Sequence, residues 1–176
     1  LTIDGTGQTV TISGGNAVRV LYASNTLTLN NLTIANGYST GGYAGGGIYH
    51  CCSGTLTITN STFSNNSVDW GGTGGGIYNY FGTLTITNST FYDNTGNGAV
   101  GNPDSTSTLI NTLIAGTSGD DCSGNDFSIA SNHNLASDAS CSPGFSQVPL
   151  DSLRLNWTSG YYLTIGWGST AVDAGT

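Results

Sequence analysis

Lysine, glutamate and methionine are absent from this chain, and only Arg19 and Arg154 carry a positive side chain. Ten acidic residues, all aspartate, give a formal net charge of -8. A protein that grips a nucleic-acid backbone neutralises phosphates with clusters of lysine and arginine, so no nucleic-acid partner is expected. The same deficit disfavours an anionic membrane surface. No run approaches about 18 consecutive apolar residues, so no membrane span is expected either. The chain starts at Leu1, with neither an initiator methionine nor a charged leader, which reads as a processed product or a fragment. Low charge together with 28 glycines would suit a disordered chain, but 36% apolar residues in regular alternation argue for order. A length of 176 residues fits a single domain with a real core.

Cysteine is scarce but even in number: Cys51, Cys52, Cys122 and Cys141. No C-x-x-C occurs, and the two histidines, His50 and His133, are far apart. That argues against zinc and for disulfides in an oxidising compartment. Cys122 and Cys141 would close a loop in the last third of the chain. The adjacent pair Cys51 and Cys52 leaves a vicinal disulfide, bonds to other chains and free thiols all open.

What the sequence does have is a repeat. "TLTLNNLTI" (26–34), "TLTITNSTF" (55–63), "TLTITNSTF" (83–91) and "TSTLINTLI" (106–114) align on Asn31, Asn60, Asn88 and Asn111, with steps of 29, 28 and 23 residues. A partial earlier unit shows as "LTI" at 1–3 and "TVTI" at 9–12. Each full unit has three short pieces of period 2: "RVLY", "GGIY" or "GAV", then the threonine-rich piece, then "LTI", "STF" or "TLI". Glycine, asparagine and serine punctuate them. Three strands at a near-constant step describe a coil, and stacked coils pair each strand with its copy one turn away. The predicted fold is all-β: a right-handed parallel β-helix with three faces, about five to six coils and no significant helix. One domain is expected over 1–176, with regular coils over 1–117 and an irregular, disulfide-bonded end over 118–176. The segment 161–176 returns to strand-like alternation and is expected to close or cover the last coil.

Leu27, Leu29, Leu56, Ile58, Leu84 and Ile86 should point inward as aliphatic columns. Two ranks of threonine should point outward: Thr26, Thr55, Thr83 and Thr106, and beside them Thr28, Thr57, Thr85 and Thr108. Asn31, Asn60, Asn88 and Asn111 should stack as a structural ladder at the corner between the second and third faces, tolerating an unusual backbone angle. Asn66 and Asn94 should form a shorter ladder. Five sequons occur, at Asn31, Asn60, Asn65, Asn88 and Asn156. Three of them fall on the ladder, where the asparagines are expected to be inaccessible.

The string "GGGIYN…GTLTITNSTFSNN" resembles the bacterial right-handed β-helix repeats of the polymorphic-outer-membrane-protein type. The end of the chain, "IAGTSGDDCSG" (114–124), "NHNLASDASC" (132–141) and "STAVDAG" (169–175), resembles the choice-of-anchor β-helix proteins. The resemblance covers most of the chain. It implies a β-helix, a secreted or surface-exposed bacterial setting and a Cys122–Cys141 bond. It implies little about activity, because the family's members are mostly uncharacterised surface or adhesion-like proteins. It does not reach Cys51 and Cys52.

Catalysis finds little footing. Glycoside hydrolysis needs paired carboxylates about 5 to 9.5 Å apart. Asp69 and Asp93 fall at non-equivalent places in their coils, Arg19 has no aspartate at a matching position, and Arg154 is remote. The chain is therefore expected not to be an enzyme. Asp120, Asp121, Asn125 and Asp126 form the densest acidic cluster and are the candidate calcium ligands; no other cofactor is expected. Paired threonine ranks also resemble the surface of ice-binding β-helices, although threonine suits any exposed strand. Tyr49, Trp70, Tyr78, Tyr80 and Phe81 lie in or near loops. Of these, Trp70, Tyr80 and Phe81 are candidate glycan contacts, while Tyr49 and Tyr78 occupy equivalent packing positions.

A strand at Leu1–Ile3 with no preceding cap leaves two expectations: the cap belongs to a segment missing from a fragment, or another copy supplies it by stacking end to end. The reading is a non-catalytic secreted or cell-surface structural or adhesive protein, whose partner is itself, an extracellular surface or a glycan. Its alternative is a carbohydrate-binding or polysaccharide-processing β-helix.

Overall fold

The computed structural model describes residues 1–42, 44–69, 71–124, 127, 133–149, 151, 155–158 and 162–165, the last two stretches for their backbone alone. The chain enters through β1 (Thr2–Asp4) and β2 (Thr11–Ser13). A first full turn follows in β3 (Leu21–Ala23), β4 (Leu27–Asn30) and β5 (Thr33–Ala35), with a two-residue strand β6 (Tyr38–Ser39) after it. The second turn is β7 (Ile48–Cys51), β8 (Thr55–Thr59) and β9 (Thr62–Ser64), followed by β10 (Ser67–Val68). The third is β11 (Ile77–Tyr80), β12 (Thr83–Thr87) and β13 (Thr90–Tyr92), and the fourth is β14 (Val100–Asn102), β15 (Thr106–Ile110) and β16 (Leu113–Ala115). β17 (Cys122–Gly124), β18 (Asn134–Ala136) and β19 (Phe145–Gln147) continue the stack. β20 (Leu155–Thr158) and β21 (Tyr162–Ile165) pair antiparallel as a separate two-stranded sheet.

Three parallel sheets form the three faces of a β-solenoid. The first face is β17-β14-β11-β7-β3, the second β1-β4-β8-β12-β15, and the third β19-β18-β16-β13-β9-β5-β2. About four turns are complete, fewer than the five to six read from the sequence. The entering unit supplies strands to two faces, and past β17 the second face is continued among the described residues only by the bridge of Phe127 to Ser107, so both units count as partial coils. The repeat alignment is also the strand register: Thr33 pairs with Thr62, Thr62 with Thr90, and Thr90 with Leu113. The sequence reading allotted three strands to every unit. The longer units contain a fourth short ladder, in which β6 pairs with β10 and Ser67 bridges Thr95. In the shorter step from Asn88 to Asn111 the ladder shrinks to the single bridging residue Thr95.

The predicted inward columns hold. Leu29, Leu56, Ile58, Leu84 and Ile86 are completely buried, and Leu27 nearly so. The third face adds Ile34, Phe63, Phe91 and Ile114, with the two phenylalanine rings stacked at 4.7 Å. The first face adds Ile48, Ile77 and Val100. Each such side chain removed from water contributes about 1.5–3 kcal/mol, which is what holds single-layer strands of three to five residues in place.

Corners are set by backbone chemistry. Asn31, Asn60, Asn88 and Asn111 all take the left-handed conformation, with φ of 50 to 53°. Asparagine is among the few side chains that tolerate it. The "GGG" triplets have a different origin. Gly45 and Gly74 have φ of 74 and 69°, and the residues after them allow two backbones to touch. A Cβ on Gly46 would stand 2.3 Å from the Ser67 carbonyl oxygen, and one on Gly75 2.5 Å from that of Thr95.

Candidate functional site

On the first face, alternation sends Ile48 and His50 inward and Tyr49 outward. The register then stacks Tyr22, Tyr49 and Tyr78 in one outer column. Tyr22 and Tyr49 are parallel at 5.4 Å, and Tyr49 and Tyr78 lie at the same separation with a 35° tilt. Tyr80 continues the patch 6.0 Å from Tyr78, and Phe81 lies 4.2 Å beyond Tyr80. Phe81 sits at a left-handed corner (φ 55°) that turns its ring outward, 55% exposed. Burial, then the neighbouring Tyr49, Tyr80 and Asp104, hold the Tyr78 phenol above its ordinary pKa.

The structure resolves the open question at Cys51 and Cys52: they form a vicinal disulfide at the end of β7. Cys51 pairs in register with Tyr80, and the Tyr22 hydroxyl donates to Cys51 Sγ at 3.4 Å. The polarisable disulfide thereby joins the aromatic patch. Cys122 and Cys141 form the second disulfide, as the resemblance implied.

Beside the tyrosine column lies a cleft of about 560 Å³ lined by Ala17, Val18, Arg19, Tyr22, Tyr38, Ser39, Thr40 and Tyr49. Arg19 is fastened by Nε to the Gly45 carbonyl at 2.8 Å and by Nη2 to the Ala44 carbonyl at 2.8 Å and Ser39 Oγ at 3.0 Å. Its guanidinium carbon stands 5.1 Å from the Tyr49 ring centroid, within cation–π range. Burial lowers its pKa from the ordinary guanidinium value, and the group stays charged at neutral pH. Sequence reasoning set Arg19 aside and did not single out Tyr22 or Tyr38. The signal for Tyr22 was present, since "RVLY" aligns with "GGIY" and puts Tyr22 in the tyrosine column.

Of the sequence-predicted glycan contacts, the structure places Tyr80 and Phe81 on this face, while Trp70 lies outside the described residues. Both threonine ranks stack on the second face. Thr55 pairs with Thr83 and Thr83 with Thr106; Thr28, Thr57, Thr85 and Thr108 align likewise, with Thr2 extending that rank. Thr26 directly precedes Leu27, the partner of Leu56, and so heads the other rank.

The corner ladder needs two corrections. Asn111 Nδ2 donates to Asn88 Oδ1 at 2.8 Å and Asn88 Nδ2 to Asn60 Oδ1 at 3.2 Å, but Asn31 turns to Thr6 Oγ1 at 2.7 Å. Asn60, Asn88 and Asn111 are also exposed rather than inaccessible, because a left-handed corner points its side chain out of the coil. The buried ladders are others. Asn66 Nδ2 donates to Asn94 Oδ1 at 2.9 Å, as expected. A second ladder, missed in the sequence, runs inside the first face: His50 Nδ1 donates to Asn79 Oδ1 at 2.7 Å and Asn79 Nδ2 to Asn102 Oδ1 at 2.8 Å. Its members differ in type from turn to turn, which hides the repetition.

The acidic cluster is divided. Asp120 is exposed, whereas Asp121 is fully buried. Asp121 Oδ2 accepts from the Ser137 amide, the Ser137 hydroxyl and the Asp138 amide. Burial raises the Asp121 pKa, against the opposing pull of Ser137. Asn125 and Asp126 lie outside the described residues, as do Arg154 and most of 161–176. Among the described residues no three His, Cys, Asp or Glu side chains come together at one point.

Compared with known proteins, the chain matches no family model, no curated protein and no solved structure.

Proposed function

We propose that this chain is a non-catalytic structural or adhesive β-solenoid of an extracellular or cell-surface setting, and that the first face is its contact surface. The observation that carries the reading is the contrast between faces. The second face presents ordered threonine ranks, while the first concentrates Tyr22, Tyr49, Tyr78, Tyr80 and Phe81 beside a disulfide. Aromatic rings in the open, on a scaffold whose turns lock one another, supply contact area at little conformational cost. The two disulfides support an oxidising compartment. The resemblance to bacterial surface β-helix repeats supports the same setting. Beads coated with the chain, washed over arrayed polysaccharides and host-type glycans, test the reading. Retention should fall with Tyr78→Ala and Tyr80→Ala together. No retention on any surface, or retention indifferent to both changes, refutes the contact surface.

End-to-end association of copies is the second reading. It is favoured by the scarcity of charge, two arginines and no lysine or glutamate, because charged edge residues are what block edge-to-edge strand pairing. Electron microscopy and light scattering at rising concentration should then show linear stacks. A monomer throughout removes this reading and leaves the first intact.

A further inference from the structure

The cleft at Arg19 has a chemistry that the rest of the surface lacks among the described residues. The chain carries a net charge of -8, yet one of its two arginines sits in this cleft, and no ion pair holds it among the described residues. Its bonds to Gly45, Ala44 and Ser39 use Nε and Nη2. A guanidinium has five donors in a fixed fork, so the two on Nη1 remain beyond those three bonds. Two carbonyls and a hydroxyl orient the fork but neutralise no charge. Tyr22 ends the tyrosine stack: one face lies on Tyr49, no further tyrosine covers the other in the register, and the residue is 63% exposed. Val18, 61% exposed, extends the apolar wall, and Ser39 and Thr40 supply hydroxyls. A second cleft of the same volume, lined by Gly5, Gln8, Thr9, Asn31 and Thr62 among others, offers neither a ring nor a charge.

We propose that the Arg19 cleft binds the carboxylated sugar residue of an acidic glycan. The carboxylate complements the unpaired guanidinium, the C–H face of the pyranose packs on the open face of Tyr22, and Ser39 and Thr40 meet the ring hydroxyls. A neutral sugar leaves the guanidinium without a counter-charge. A simple anion leaves the ring wall unused. The inference rests on the adhesive reading and names the ligand class of one end of the same face.

The test is calorimetric titration of the whole chain with oligogalacturonate, alginate oligomers and sialyllactose, each against its neutral counterpart, with acetate as the anion control. At least one acidic glycan should bind, its neutral counterpart at least about tenfold more weakly. Arg19→Gln should cost about 10- to 100-fold and Tyr22→Ala up to about tenfold. Tyr22 is exposed, so its loss leaves the fold readable even where Arg19→Gln loosens the 44–45 segment. Moving from about 50 to about 500 mM salt should weaken binding. Shifts of the Tyr22, Tyr38 and Tyr49 ring protons on titration locate the site. Failure of all three acidic glycans, equal binding of the neutral forms, competition by acetate at equal concentration, or indifference to Tyr22→Ala overturns the proposal. Should surface retention still depend on Tyr78 and Tyr80 in that event, the adhesive reading stands and the acidic-sugar assignment alone falls.

Discussion

Replacing Asn66 by alanine should unfold this protein far more readily than its small size change suggests. Asn66 is completely buried between turns. Its Nδ2 donates to the Ile34 carbonyl and to Asn94 Oδ1, both at 2.9 Å, and its Oδ1 accepts the Gly37 amide at 2.9 Å. Alanine strands the Gly37 amide and removes a donor from each of two acceptors. A buried unsatisfied donor costs about 1–3 kcal/mol, and each lost bond about 0.5–1.5 kcal/mol, giving about 2–6 kcal/mol in all. That is a large share of the ~5–15 kcal/mol that keeps a typical protein folded. The control is Asn60→Gly on the outer corner. It keeps the left-handed backbone and gives up one bond in contact with water, so it should cost under about 1 kcal/mol. Urea unfolding followed by fluorescence and circular dichroism reads both variants. With a slope near 3 kcal/mol/M, Asn66→Ala should lower the midpoint by about 0.7–2 M. A midpoint unchanged within about 0.3 M, or an Asn60→Gly loss exceeding that of Asn66→Ala, would refute the assignment of stability to the buried ladder.

Gly75→Ala should cost several kcal/mol, because its Cβ would lie 2.5 Å from the Thr95 carbonyl oxygen, whereas Gly71→Ala meets nothing within 4 Å and carries only the strain of φ 75°, about 1–2 kcal/mol; thermal unfolding separates the two. Asp121 has its folded pKa raised by burial, so its stabilising contribution is complete below the ordinary value of 3.8 and is lost as pH rises through the raised value. Asp121→Asn keeps an acceptor for Ser137 and Asp138 and should flatten that slope in melting temperatures between about pH 3 and pH 8; parallel curves would contradict it. Cys122→Ser with Cys141→Ser opens a loop of sequence separation 19 and should cost about 3 kcal/mol by chain entropy. The Cys51–Cys52 bond joins adjacent residues and closes no chain loop, so Cys51→Ser with Cys52→Ser should cost much less; scanning calorimetry reads both pairs.

By itself the sequence determined the solenoid. Threonine alternating with leucine and isoleucine at period 2 can bury only one side, and the 29-, 28- and 23-residue steps let that side be buried only against its own copies. The register, the aliphatic columns, the threonine ranks and the left-handed asparagine corners all follow from this local logic. Only the tertiary structure decided how many turns close, since a unit missing one face still reads as a unit in the sequence. It alone sent Asn60 and Asn88 into solvent and drew His50, Asn79 and Asn102 into one buried ladder. Burial at a corner depends on which way the backbone turns, and spacing does not encode that. The Arg19 cleft belongs to the same class. Arg19 and Ser39 are 20 residues apart and Ala44 and Gly45 lie further still, and only the closing of a turn brings their polar groups onto one guanidinium beside Tyr49.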